Sequence, residues 1–278
     1  METTRNYKGR TLVLELIAIA AALLFLVPFY FLISNSMKSF ADILLDAASL
    51  PDAFSWKNYS RAWDIMKYPQ AFMNSLVITV TSIIGLVLVS SMAAYRMVRR
   101  PSRYNNILFL LFVAAMVIPF QSIMIPLMKV ANWFSLMGSM PGLWFCYLGF
   151  GSSLTIFLYH GFVKSIPVEV EESAVVDGCT PYGVFWRIVF PLLKPMTVTI
   201  ILLNSLWIWN DFLLPQLILT DPSLRTIPLS TYSFFGQYTK QWDLALAALV
   251  MGVTPIVLFF LSLQRHIIEG ITAGSVKG

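Results

Sequence analysis

Long apolar runs separated by short polar stretches dominate the chain and predict its elements. Six runs reach the length of about 20 apolar residues that a helix needs to cross roughly 30 Å of hydrocarbon. They cover residues 12–33, 72–95, 107–128, 142–163, 196–219 and 244–263. Glu15 and Asp211 are the only Asp, Glu, Lys or Arg residues inside them. The pattern predicts an all-α polytopic membrane protein, a single transmembrane domain over residues 1–278 with six transmembrane helices.

The composition excludes a soluble protein. Hydrophobic residues make up 58% of the chain and charged residues only 12%, whereas a soluble domain carries about 25% charged residues. The net charge of +5 would suit nucleic acid in a polar protein. In a chain this apolar, basic residues indicate loops that face an anionic membrane surface. We therefore expect a lipid bilayer as partner and no nucleic acid.

The distribution of basic residues predicts the orientation of the chain in the membrane. The clearest basic cluster follows the second span and consists of Arg96, Arg99, Arg100 and Arg103. Because short cytoplasmic loops are enriched in Lys and Arg, this cluster places the loops 96–106 and 164–195 in the cytoplasm. An even number of spans then places both termini in the cytoplasm as well.

Motifs for covalent chemistry are absent from the sequence. No glycine is followed by lysine, so the chain lacks the phosphate-binding loop of ATPases. His160 and His266 are the only histidines and form no zinc-binding motif. We expect no enzyme activity, no metal and no cofactor. The scarcity of ionisable groups within the spans also disfavours an ion-coupled carrier, although a stand-alone gated channel or carrier remains an alternative.

The loop 164–195 predicts two short helices joined by a sharp turn. Pro167 suits the first turn of a helix, and Gly178 suits the position just past its C-terminus. Thr180 and Pro181 then suit the N-cap and first position of a second helix.

The second helix of this loop is unusually apolar for a surface element. Its apolar residues are Tyr182, Phe185, Trp186, Ile188 and Val189. Such a helix either packs on the underside of its own bundle or lies in the groove of a partner protein. The spacing does not decide between these interpretations.

This loop resembles a motif of ABC-importer permeases. Glu172-Ser173-Ala174, Gly178 and Ile188-Val189-Phe190-Pro191 are similar to the Glu-Ala-Ala…Gly…Ile-x-Leu-Pro loop of that family, with Ser173 and Phe190 as departures. Four other stretches resemble the smaller permease subunit of maltose-type carbohydrate importers: Met73-Asn74-Ser75-Leu76, Ile118-Pro119-Phe120-Gln121, residues 208–215 and the tail 264–278.

The resemblance implies the type I permease fold and a role in ATP-driven import across a bacterial or archaeal cytoplasmic membrane. The implied partners are a second permease subunit, a cytoplasmic ATPase dimer that hydrolyses the ATP, and an extracytoplasmic solute-binding protein. The implied cargo is a carbohydrate, an oligosaccharide or related polyol, carried by alternating access. A non-sugar solute such as a glycerol phosphate ester is the alternative cargo.

The resemblance also implies which residues contact the ATPase. They are Glu172, Ser173, Ala174, Gly178, Tyr182, Phe185, Trp186, Ile188 and Pro191. Glu172 would be the charged contact, Gly178 the turn, and the apolar second helix the packing surface. The tail 272–278 would lie against the ATPase pair.

A polar group in the fifth span is the candidate substrate pathway: Asn204, Trp207, Asn210 and Asp211. In a continuous helix, Asn204, Trp207 and Asp211 would share one stripe with Pro215. Aromatic rings stack on sugar faces and amides bond hydroxyls, although the same residues could simply tie helices together.

Proline predicts an irregularity in the third span. Pro119 and Pro126 lie inside the apolar run 107–128, and proline removes a helical hydrogen bond. The sequence therefore predicts that this span is kinked or broken.

Overall fold

The computed structural model describes the backbone of residues 9–236 and 241–275, with side chains up to residue 262 except Arg10. Helices dominate these residues. The helices are α1 Gly9–Ser36, α2 Phe40–Leu45, α3 Lys57–Ile65, α4 Tyr68–Arg99, α5 Arg103–Ala115, α6 Phe120–Trp133, α7 Met140–Val163, α8 Val168–Val176, α9 Pro181–Leu192, α10 Lys194–Asn210, α11 Leu213–Ile218, α12 Ile227–Thr231 and α13 Trp242–Ser275. Within α9 the segment Val184–Val189 is π-helical.

Among the described residues, four helical segments are long and apolar enough to cross a membrane: Thr11–Ser36, Tyr68–Arg99, Met140–Val163 and Trp242–Ser262. Two bent pairs pass the same test when each is taken together, α5 with α6 and α9 with α10. The count reaches six when each bent pair is taken as one span. The second pair differs from the predicted fifth span 196–219, because it includes α9, which lies in the predicted loop 164–195, and ends at Asn210.

The third predicted span is broken, as its prolines indicated. Helices α5 and α6 meet at 112°, and Pro119 is the N-cap residue of α6. Pro126 lies inside α6 without ending it. At an N-cap, the missing N–H of proline costs no helical hydrogen bond, because that N–H has no partner in the helix. Proline also disfavours the α-helical conformation at the residue before it, so the chain breaks at this point.

The contacts divide the chain into two compact units. The first comprises residues up to Lys67 together with Thr231–Val253, and the second comprises Tyr68–Ser230 with the residues from Thr254 onward. In the first unit, the apolar side chains of α1 are exposed along its length, as expected of a helix that faces lipid. The buried Lys38 side chain donates to the Asp46 carbonyl (2.9 Å) and the Ser49 hydroxyl (3.0 Å) and orders the following loop.

The core of the second unit lies between α4 and α7. Buried serines at residues 75, 82 and 90 place small side chains along one face of α4, which lets membrane helices approach closely. The approach is close at Gly151 of α7, where an added Cβ atom would lie 2.7 Å from the Leu86 side chain. Helix α10 packs on both α4 and α7.

Candidate functional site

The predicted two-helix element is present and is called here the docking hairpin, Val168–Leu192. Gly178 follows α8 with a φ of +86°. The Cys179 N–H donates to the Ala174 carbonyl (2.9 Å), and the Gly178 N–H donates to the Val175 carbonyl (3.0 Å). This pair of bonds is a Schellman motif, which satisfies the last carbonyls of the helix and reverses the chain.

The start of each hairpin helix is also locally encoded. The Thr180 hydroxyl accepts the Gly183 N–H at 3.2 Å, and Pro181 occupies the first helical position, as predicted. Pro167 is the N-cap residue of α8 and precedes its first turn, one position earlier than the sequence indicated. The hairpin ends where α9 meets α10 at 71°.

Replacing Gly178 by alanine is expected to open the hairpin by backbone strain alone. No atom lies within 4 Å of an added Cβ atom, so the cost is the left-handed conformation, about 1–2 kcal/mol. Trypsin cleavage at the exposed Arg187 should become about tenfold faster. Gly178→Asn should show a smaller effect because asparagine tolerates this conformation. Gly161→Ala, in helical backbone with equally open space, is the control, and a matching increase there would contradict the explanation.

The hairpin exposes most of the residues that the motif singled out. The exposed ones are Glu172, Ser173, Gly178, Tyr182, Trp186 and Pro191. Tyr182 retains 74% of its accessible surface and Trp186 retains 39%. Ile188 is half-buried. This exposed set forms a surface of polar and aromatic groups at the end of the bundle.

Ala174 and Phe185 instead belong to the core of the chain. Phe185 is 4% exposed, and its ring lies 5.2 Å from that of Tyr95 on α4. It also contacts Trp186 at a ring separation of 4.9 Å. The apolar helix therefore uses one face to pack on its own bundle and leaves the other exposed, so both interpretations of its composition apply to different faces.

A buried ion pair that the sequence reasoning missed joins the hairpin to α4. Glu171 accepts hydrogen bonds from Arg99 Nε (2.7 Å) and from the Tyr95 hydroxyl (2.8 Å). Arg99 Nη2 also donates to the Ile166 carbonyl at 2.9 Å. The Arg99 and Glu171 side chains are only 15% and 10% exposed. We call Tyr95, Arg99 and Glu171 the brace.

The available sequence signal for the brace was the spacing of Glu171 and Ala174. Residues three apart share a helix face, and both are buried in α8. Glu172 lies on the exposed side. Adjacent acidic residues thus face in different directions, one toward the bundle and one away from it.

A cavity of about 700 Å³ lies beside the break in the third span. It is bounded by α5, α6, α7 and α10. Its lining includes Phe120, Phe150, Gly149, Asn204 and Trp207. Irregular backbone at membrane depth is tolerated where it lines such a cavity.

Two of the four predicted pathway residues line this cavity. Asn204 is 3% exposed, and its amide donates to the Ile200 carbonyl (2.9 Å) and the Thr155 hydroxyl (3.4 Å). Trp207 is 40% exposed, and its ring lies 5.4 Å from the buried Tyr147 ring, edge to face. Asn204 is thus held in place by hydrogen bonds, whereas the Trp207 ring remains accessible in the cavity lining.

The predicted continuous stripe is wrong beyond Asn210. Helix α10 ends there, and Asp211 has an extended backbone with φ −72° and ψ 131°. The Asp211 carboxylate accepts the Tyr147 hydroxyl (3.0 Å) and the Leu213 N–H (3.1 Å), so it stabilises the chain break. The exposed Asn210 amide bonds its own helix at Leu206. Neither residue lines the cavity.

The opposite end of α4 contacts the loop that contains Ser223 and Arg225. The Asn74 amide donates to the carbonyls of Ser223 (2.9 Å) and Arg225 (3.0 Å). Asp221 accepts the Ser223 N–H at 2.8 Å, and this bond holds the pKa of that carboxyl below its ordinary value. Asn74 and Ser223 lie near the start of α4, while the brace lies near its end.

Metal ligation finds no support in the residues described. No group of three or more His, Cys, Asp or Glu side chains among them could hold an ion. The predicted tail contact at 272–278 lies outside the side chains that are described.

Comparison with known proteins matches residues 85–272 to the family "binding-protein-dependent transport system inner membrane component". The chain is 42% identical to the probable starch degradation products transport system permease protein AmyC of Thermoanaerobacterium thermosulfurigenes, covering 95% of this chain and 96% of that protein. It is 34% identical to the melibiose/raffinose/stachyose import permease protein MelC of Bacillus subtilis, with 96% of each chain covered.

A solved structure shares the fold. A chain of a bacterial ABC transporter involved in the import of the acidic polysaccharide alginate superposes with a TM-score of 0.76 at 20% identity, covering 94% of this chain and 99% of that one. This likeness confirms the predicted all-α type I permease architecture. By its sequence match over residues 85–272 and its fold, this chain belongs to the binding-protein-dependent transport system inner membrane component family, the permeases of ABC importers.

Proposed function

We propose that this chain forms one half of a sugar-conducting pore with a second permease subunit, and that a cytoplasmic ATPase dimer drives it through the docking hairpin. The observation that carries the proposal is the form of the hairpin. Its exposed face offers Glu172, Tyr182 and Trp186, while its buried face is fixed to α4. Exposed aromatic side chains are enriched at protein contact surfaces.

The brace gives this contact a physical route into the membrane. An ATPase that closes on the exposed face of α8 and α9 would move the hairpin. Arg99 and Glu171 would transmit that displacement to α4, because breaking a buried ion pair costs more than moving both partners together. Helix α4 packs on α7 and α10, and these two helices line the cavity. Closure of the ATPase would therefore switch the opening of the cavity from one face of the membrane to the other.

The same contact supports the orientation of the protein. Arg99 belongs to the basic cluster at the end of α4, and its ion pair brings that cluster and the hairpin to one end of the bundle. With this end in the cytoplasm, the loop near Asn74 and Ser223 faces outward. A solute-binding protein would dock on that outward side.

An oligosaccharide is the cargo best supported by the relatives and the cavity. AmyC is named for starch degradation products and MelC for melibiose, raffinose and stachyose. The cavity presents the aromatic rings of Phe120, Phe150 and Trp207, and flat aromatic rings stack on the apolar faces of sugars.

Transport by the reconstituted complex tests the proposal. The chain is co-expressed with its partner permease and ATPase, and uptake of maltotriose and raffinose is measured in proteoliposomes with the binding protein. ATP-dependent uptake of either sugar is expected. Purification of a chain that binds no ATPase and conducts solute alone would overturn the proposal.

Trp207→Ala is expected to raise the half-saturating sugar concentration about five- to tenfold, because a stacking surface is lost. Trp207→Phe should retain most of the affinity. Trp133→Ala removes a tryptophan that is 83% exposed and lies outside the cavity, and it should change nothing. Equal effects of the two alanine variants would show that Trp207 does not contribute to sugar binding in the pathway.

A further inference from the structure

A second cavity lies at the hairpin end of the bundle. It has a volume of about 720 Å³ and sits between the end of α4 and the start of α5. Arg96, Arg99 and Arg100 line it, together with Met97 and Leu108. Nothing in the transport cycle derived above uses this cavity.

The charges around this cavity are unbalanced. Glu171 neutralises Arg99 within the brace. Arg96 and Arg100 are exposed, and within the described part of the chain the Arg99–Glu171 contact is the ion pair found here. Two guanidinium groups with no ion-pair partner among the described residues therefore line the cavity, and a guanidinium can bind a phosphate through two parallel hydrogen bonds.

The turn between α4 and α5, which begins at Arg100, is held by local hydrogen bonds. The Ser102 hydroxyl accepts the Asn105 N–H at 3.1 Å. The Asn105 amide donates to the Arg100 carbonyl. These two bonds tie the backbone of the interhelical turn to α5 and so fix the backbone position of Arg100 relative to α5.

The lining of the cavity is part polar and part apolar, and apolar side chains continue along α5. Met97 and Leu108 form part of the wall, and α5 beyond it exposes Ile107, Leu110 and Leu111 at 57%, 62% and 60%. Tyr104, 70% exposed, stands at the rim, where aromatic residues mark the membrane–water boundary. A cationic rim above an apolar helix face matches a phospholipid, whereas a free phosphate would use only the rim.

We propose that this cavity binds the headgroup of an anionic phospholipid, with its phosphate between Arg96 and Arg100 and its acyl chains along the apolar face of α5. The proposal requires only that the hairpin end lies at a membrane surface, and it does not depend on the cargo. Because the lipid would sit beside Arg99, it would anchor the α4 end of the brace.

Native mass spectrometry of the full-length protein, titrated with phosphatidylglycerol or phosphatidylcholine, tests the site. Phosphatidylglycerol should bind more tightly, and inorganic phosphate should not displace it. The double variant Arg96→Gln/Arg100→Gln should bind it roughly thirtyfold more weakly. Lys164→Gln/Lys194→Gln, which removes two exposed charges beside the hairpin, should bind it normally.

Three results would overturn the proposal. Equal binding of the two lipids would mean that the cluster serves membrane orientation alone. Displacement by inorganic phosphate would make the ligand a free anion. An equal loss of phosphatidylglycerol binding in the lysine control would show that binding depends on general surface charge and not on this cavity. If the arginine variant fails to insert, the lipid preference and phosphate competition of the unaltered protein decide the question.

Discussion

Arg99→Ala is expected to release the docking hairpin from the bundle, because it leaves the Glu171 carboxylate buried without its cation. Removing one partner of a buried ion pair costs about 3–5 kcal/mol. Tryptic cleavage at Arg187 should rise about a hundredfold or more, and ATP-dependent transport should be lost. Glu171→Gln should be milder, since its amide oxygen still accepts from Arg99 and its amide N–H can donate to the Tyr95 hydroxyl oxygen.

Arg103→Ala is the matched control for the brace. It removes an exposed arginine of the same basic cluster, so it tests for a general effect of charge on membrane orientation. The double reversal Arg99→Glu/Glu171→Arg should restore part of the protection because it re-forms the pair. If Arg99→Ala and Arg103→Ala behave alike, the brace does not hold the hairpin.

Glu172→Lys is expected to abolish transport while leaving the fold intact. Glu172 is exposed, and surface substitutions usually change stability by no more than about 0.5 kcal/mol. Tryptic cleavage at Arg187 should therefore be as slow as in the unaltered chain. A lysine at the ATPase contact would oppose a basic partner residue, so sugar-stimulated ATP hydrolysis should disappear even where the ATPase still co-purifies.

Glu169→Lys separates this effect from a change in helix charge. Glu169 is also exposed and lies in the first turn of α8. Its carboxylate interacts favourably with the dipole of α8 there, so Glu169→Lys removes at least as much helix stabilisation of this kind as Glu172→Lys. We expect this variant to transport sugar. Normal uptake by Glu172→Lys, or an equal loss in both variants, would exclude a specific contact through Glu172.

The two predictions assign adjacent acidic residues to different tasks. Loss of the brace should change protection from trypsin and transport together. Loss of the Glu172 charge should change transport alone. Measuring both quantities on the same preparations therefore distinguishes a residue that positions the hairpin from one that contacts the ATPase.

Features of the chain that depend on short sequence distances could be predicted from the sequence. The apolar runs matched helical segments, because burial in lipid depends on the length and composition of one segment. Gly178, Thr180 and Pro181 predicted the hairpin turn because caps use atoms within a few residues. Pro119 predicted the break in the third span for the same reason.

Tertiary contacts decided the rest. The brace joins Glu171 to Tyr95 and Arg99, which lie 76 and 72 residues away in the chain, so the helix face shared by Glu171 and Ala174 could not show what that face packs against. The stripe through Asp211 failed because Tyr147, 64 residues away, holds its carboxylate at a chain break. Local hydrogen bonding and apolar length fixed where the helices and turns form. Which face of each helix is buried depended on partners that only folding brings within reach.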